Sequence, residues 1–193
     1  MFKRTLTIVI ILFVSLPVLT GCVSAVVAGA AVSADMASDR RSSGTYIDDQ
    51  SIEIQISDNI RSDETLRNSA SISVVSYNRV VLLVGQAPSR ELKDRASTIA
   101  RKLNQVKSVH NEIRISTPSS MLSTTNDTWL TTKAKSLMLA EKGFSSNHIK
   151  VYSENGEIFL MGIVTKAEAD KAIAIVRNID GVERVVQLFE YIQ

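Results

Sequence analysis

Few side chains in this sequence could carry covalent chemistry, and their spacing narrows the field further. There is one cysteine, Cys22, and there are two histidines, His110 and His148. Neither histidine stands in an HxxxH or HxxE pairing, and no second thiol is present to complete a tetrahedral metal set. Serines are plentiful, but no GxSxG elbow places one as a nucleophile, and the glycine-rich patterns that cradle phosphate are missing. The expectation is therefore a chain with no catalytic residues, no metal and no cofactor. What remains is the chemistry of surfaces: a lone thiol near the N-terminus, and the single tryptophan, Trp129, with Lys133 and Lys135 close behind it.

The thiol has a clear setting. Lys3 and Arg4 precede a mostly apolar stretch from Leu6 to Leu19, the pattern of a secretory signal. That stretch is shorter than the ~20 residues a membrane-spanning helix needs. Next comes Leu19-Thr20-Gly21-Cys22, which looks like a lipobox, with small residues for a peptidase subsite and a thiol nucleophilic enough to take lipid as a thioether. Residues 1–21 are read as a lipoprotein signal peptide, and Cys22 as the point of lipid attachment. The lone cysteine also excludes an internal disulfide. Val23, where an aspartate would favour retention at the inner membrane in enterobacterial lipoproteins, points to the outer membrane, with the chain facing the periplasm.

Removing the signal takes away two of the 22 basic residues and none of the 20 acidic ones, so the mature chain is near neutrality. That balance argues against a nucleic-acid partner, which would require a clustered basic face. Residues 23–46 pass from small apolar to Ser, Asp, Arg and Gly without an amphipathic period, and 22–46 is read as a flexible lipidated tether.

The rest is organised by a repeat. Val80 to Gly85 and Glu157 to Gly162 are extended runs ending in glycine, 77 positions apart, and the same spacing carries Ile72-Ser73-Val74 onto Ile149-Lys150-Val151. After a one-residue deletion, Arg101, Leu103, Val106 and Val109 fall on Arg177, Ile179, Val182 and Val185. Each copy reads as helix, two strands, helix, strand. Asp48 or Asp49 is expected to cap the first helix, with Ile52, Ile56 and Ile60 as its inward stripe, and Asn126 or Asp127 to cap its counterpart. Asn155-Gly156 marks a tight hairpin, and Thr165 with Glu168 a capping box. The fold class is α+β: two tandem αββαβ domains at 47–116 and 126–193, joined by a linker at 117–125. Each would hold a three-stranded mixed sheet with both helices on one face.

At this point the residues carry a resemblance. Two copies of this element order resemble BON domains, and the chain is most similar to dual-BON outer-membrane lipoproteins of the division- and outer-membrane-stress-associated lipid-binding type. The supporting segments are Val80 to Gln86, Asn111-Glu112-Ile113-Arg114, Asn126 to Trp129, Thr131-Thr132-Lys133, and Glu154 through Gly162. The resemblance implies a non-enzymatic protein that recognises anionic phospholipid through its second domain and supports envelope integrity.

The helix expected from Thr128 to about Glu141 shows where recognition would lie. At 100° per residue, Leu130, Ala134, Leu137 and Met138 share an inward face, and Trp129, Thr132, Ser136 and Leu139 lie roughly opposite, flanked by Lys133 and Lys135. An outward indole beside a leucine and between lysines suits a membrane interface. Gly162 is included as a point where a headgroup or a neighbouring backbone could approach closely; Gly85 in the matching place favours the backbone. In the first copy Ile52 stands near the place of Trp129, the helix exposes no aromatic, and Asp58, Asp63 and Glu64 make its later part acidic, so that domain is expected to bind anionic lipid poorly and to pack on the second or meet protein partners. The alternative function, from a different class, is an adaptor for outer-membrane protein assembly machinery, favoured by the duplication itself.

Overall fold

The computed structural model describes residues 39–117 and 122–193; the signal peptide and Cys22 lie outside them. Helix α1 (Ser43–Ser62) starts four residues before the expected domain boundary, and its cap is Ser42, whose Oγ accepts from the Thr45 amide at 3.1 Å. The last part of the expected tether is therefore folded structure. Ile52, Ile56 and Ile60 are buried, one helical turn apart, as the stripe requires. A short α2 (Glu64–Ser69) follows a break at Asp63, whose carboxylate caps it through the Leu66 amide. Then come β1 (Ser71–Tyr77), β2 (Val80–Ala87), α3 (Arg90–Arg101), β3 (Ser108–Asn111) and the two-residue β4 (Arg114–Ile115).

The second copy repeats this order. Helix α4 (Leu122–Ala140) begins inside the expected linker, so Asn126 and Asp127 sit within it and do not cap it. A 3-10 turn at Ser146–His148 leads into β5 (Ile149–Glu154) and β6 (Glu157–Val164), then α5 (Lys166–Val176) and β7 (Arg184–Tyr191). The expected capping box is present: the Thr165 hydroxyl accepts from the Glu168 amide, and the Glu168 carboxylate from the Thr165 amide at 2.7 Å. In both sheets the central strand pairs antiparallel with the strand before it and parallel with the one after, in the orders β1-β2-β3 and β5-β6-β7, with β4 extending the β2 pairing.

The two hairpins share a device that capping rules misassign. Asn78 and Arg79 turn with φ of 51° and 65°, and Asn155 and Gly156 with φ of 50° and 76°, the doubly positive turn that matches strand twist. Each turn leaves two amides pointing inward. Asp49 accepts those of Asn78 and Arg79 at 2.8 and 2.7 Å, and Asp127 those of Asn155 and Gly156 at 2.8 and 3.0 Å. Both carboxylates are buried. They satisfy donors that would otherwise be desolvated without a partner, and in the first hairpin they help offset the strain of a left-handed arginine.

Layering follows from strand alternation. Val81 and Leu83 of β2 face α1 and α3; Ile158 and Leu160 of β6 face α4 and α5. The intervening residues, Leu82 and Val84 in one domain and Phe159 and Met161 in the other, join Val75 and Tyr77 in a third core. The two sheets thus pack face to face through their helix-free sides, and each helix pair forms an outer layer. Polar ties cross the same joint: Lys150–Glu53 at 2.6 Å, Arg184–Glu112 and Arg114–Glu157 at 2.8 Å, Asn78–Glu190 at 2.8 Å and Gln86–Asn155 at 3.0 Å. Residues 39–193 form one compact unit.

Candidate functional site

The outer surface of α4 is set by its buried side. Leu130, Ala134 and Met138 are essentially fully buried, which turns Trp129, Thr132, Lys133, Lys135, Ser136 and Leu139 to solvent. Trp129 is 49% exposed and Leu139 74% exposed, so neither is needed to close its own domain's core. Nor does Trp129 fill the joint between the domains, because that joint is made by the opposite faces of the sheets. The two exposed residues lie about 15 Å apart along the helix axis at ~1.5 Å per residue.

Leu137 departs from expectation. It is 37% exposed and does not belong to the core, because it lies on the flank of the buried arc, about 20° outside its nearest member, Leu130, on the side away from Ala134 and Met138. It widens the exposed apolar surface at the C-terminal end of the helix, where Ala140 is also exposed. Among the described residues neither Lys133 nor Lys135 meets a carboxylate within ion-pair distance: Asp127, on the same helix, is buried against the Asn155-Gly156 turn, and Glu141, just past the helix end, is paired with Lys171 at 2.9 Å. The cations flanking the indole are therefore not neutralised by neighbours. The Thr132 hydroxyl is turned back onto the Thr128 carbonyl at 2.9 Å, so Ser136 is the better placed of the two hydroxyls for an external acceptor.

Gly162 belongs elsewhere. It lies buried within β6, two residues before the strand ends, opposite Ile149, and a Cβ there would stand 2.5 Å from the His148 carbonyl oxygen. The close neighbour is thus its own chain's backbone, and the residue is not on the exposed face of α4. Gly85 is tighter still, with φ of +114° and the Ser71 carbonyl 2.0 Å from the missing Cβ.

The first domain lacks this arrangement. Its core stripe Ile52, Ile56, Ile60 matches Leu130, Ala134, Met138 at an offset of 78, one more than the strand offset, so Trp129 corresponds to Ser51 and not to the buried Ile52. On the same count Lys133, Lys135 and Leu139 correspond to Gln55, Ser57 and Arg61. The exposed large apolar residues of its helix α1 are instead Ile47 and Ile54, at 62% and 60%.

Both histidines are half-buried. His148 is held below its ordinary range by burial and then by the nearby charge of Arg40, and its Nδ1 is buried without a hydrogen-bond partner. Among the described residues no group of histidine and acidic side chains could hold a metal ion, and no helix is long and apolar enough to cross a membrane.

The BON domain family model matches the chain twice, at residues 48–117 and 126–193. The chain is 40% identical over 174 residues to an outer membrane lipoprotein, DolP, of Haemophilus influenzae, covering 90% of both chains. It is 38% identical over 155 residues to a 21 kDa hemolysin of Actinobacillus pleuropneumoniae, covering 80% of each. To the osmotically-inducible protein Y of Escherichia coli it is 28% identical over 145 residues, covering 74% of this chain and 72% of that one.

Proposed function

Because the chain belongs to the BON-domain family and is an outer-membrane lipoprotein, we propose that its second domain reads anionic phospholipid through the exposed face of α4, while lipid on Cys22 holds the body near the membrane. The observation that carries this reading is the outward Trp129, bordered by Lys133 and Lys135 and extended by Leu139. Partial burial of an indole contributes about 1.5–3 kcal/mol, and each lysine near an anionic surface about 1 kcal/mol. Such a patch is weak alone. Confinement by thioether-linked acyl chains raises its effective concentration, so α4 selects and orients where the anchor attaches. No catalytic step is assigned to the chain.

The test uses the mature chain with Cys22→Ser and vesicles of phosphatidylcholine with increasing phosphatidylglycerol. Binding is expected to rise with the anionic fraction and to fall roughly 10- to 100-fold on Trp129→Ala, the ratio corresponding to the indole's burial. Equal binding by both proteins would sink the assignment.

A second reading is favoured by Ile47 and Ile54, which stand on the outer layer opposite α4. In it the first domain contacts outer-membrane protein assembly machinery while α4 faces lipid. A photocrosslinker at position 54 should then capture protein and one at position 129 lipid; lipid adducts at both would remove the adaptor role.

A further inference from the structure

Three consecutive residues ahead of α1 make contacts out of proportion to their number. The Arg41 side chain is only 7% exposed, paired with Asp39 at 2.6 Å and Asp49 at 2.8 Å. Its guanidinium carbon sits 4.0 Å from the centre of the Tyr77 ring and 4.9 Å from that of Tyr46. Arg40 turns to the other domain, where both its terminal nitrogens bond Glu168, at 2.7 and 2.8 Å, and one also donates to the Ile163 carbonyl at 2.9 Å. Tyr77 closes the set by donating its hydroxyl to the His148 carbonyl at 3.1 Å.

From this geometry we infer that Asp39-Arg40-Arg41 is a clasp: it fastens the end of the lipid tether into the seam between the two domains and restrains them against each other. Arg41 is its grip on the first domain and Arg40 its grip on the second. Paired, partly buried guanidinium groups in bidentate geometry hold far better than exposed ion pairs, since water cannot replace them cheaply. Stacking on two aromatic rings adds to that hold. The seam already has an apolar centre in Phe159, Met161, Leu82 and Val84, and the clasp closes it at the edge where β5 and the end of β6 lie. The described fold is already engaged at Asp39, some eight residues sooner than composition indicates. Asp39 stands seventeen positions after Cys22, a reach of at most about 60 Å for a fully extended chain. This inference does not depend on the lipid reading of α4.

The clasp contains its own probe, because Arg40 and Arg41 are adjacent trypsin sites. In the mature chain with Cys22→Ser, residues 39–41 should show backbone heteronuclear NOE values equal to those of α1. Cleavage after Arg40 or Arg41 should quicken at least 10-fold in the double variant Asp39→Asn with Glu168→Gln. Glutamine at 168 can still accept from the Thr165 amide, so α5 keeps its cap. Amide residual dipolar couplings of the parent should fit one alignment tensor for both domains, and those of the double variant should need two. Coil-like NOE values at 39–41 in the parent, unchanged cleavage, or a single tensor in the double variant would each overturn the clasp.

Discussion

A single missing methyl group separates two accounts of Gly162. Were it a place for a headgroup, alanine there would weaken lipid binding and leave the fold alone. The geometry gives the opposite outcome, since the Cβ would press on a backbone carbonyl that cannot swing away as a side chain would. Gly162→Ala should cost on the order of 1–3 kcal/mol, and Gly85→Ala more, because its positive φ adds strain to a closer contact. Urea unfolding would measure both, and vesicle affinity of the folded Gly162→Ala protein should match the parent. At this scale the sequence showed identity better than role. Asp49 and Asp127 were legible as acids near helix starts, yet each lies three residues before a core residue, Ile52 or Leu130, and so faces inward. An acid on the core side in both repeats signals a buried acceptor, and what it accepts from is fixed by a turn 28 to 30 residues away that no local rule reaches.

Elements were read more fully, because helical and strand periods are local properties. The order of helices and strands, the Asn155-Gly156 turn and the Thr165–Glu168 box all follow from spacing. The outward arc of α4 was equally legible, since three buried residues at i, i+4 and i+8 determine which side is left over. Boundaries were not: α1 and α4 begin earlier than their apolar stripes, where polar residues join a helix whose packing is already secured further on. The division of α4 into a packed and an open face makes a sharp comparison. Leu130→Ala should destabilise the chain by about 2–5 kcal/mol by opening a cavity. Leu139→Ser should change stability by less than about 0.5 kcal/mol, yet weaken binding to phosphatidylglycerol vesicles several-fold. Thermal melts and vesicle titrations on the same samples would separate the two effects; an equal loss of stability would mean that Leu139 is part of the core.

The arrangement of the whole molecule was least legible, although a trace of it was present. Val80 to Val84 and Ile158 to Met161 are unbroken apolar runs where a half-exposed strand would alternate, and both faces prove to be covered, one by helices and one by the other sheet. Nothing in either run names the partner for the second face. The charged rim of that joint sets how it responds to acid. Glu157, although burial pushes its carboxyl up, is held below the usual range by hydrogen bonds from Arg184 and Arg114, the latter from the first domain. Glu168 is brought down to about 2, first by its hydrogen bonds with Arg40, against burial, and then by the Thr165 amide. A carboxylate whose folded value lies below its unfolded one contributes stability above the unfolded value, near 4.5, and gives it up as pH falls toward the folded one. Glu154 runs the other way, raised by burial and by the charge of Asp127, so acid relieves it and offsets part of the loss. The joint should therefore weaken between about pH 5 and pH 2. The urea midpoint of the mature Cys22→Ser chain is expected to fall across that window, and Glu157→Gln should start lower and fall less steeply. A midpoint that stays level from pH 5 to pH 3 in the parent would show that these cross-domain pairs add nothing to its stability.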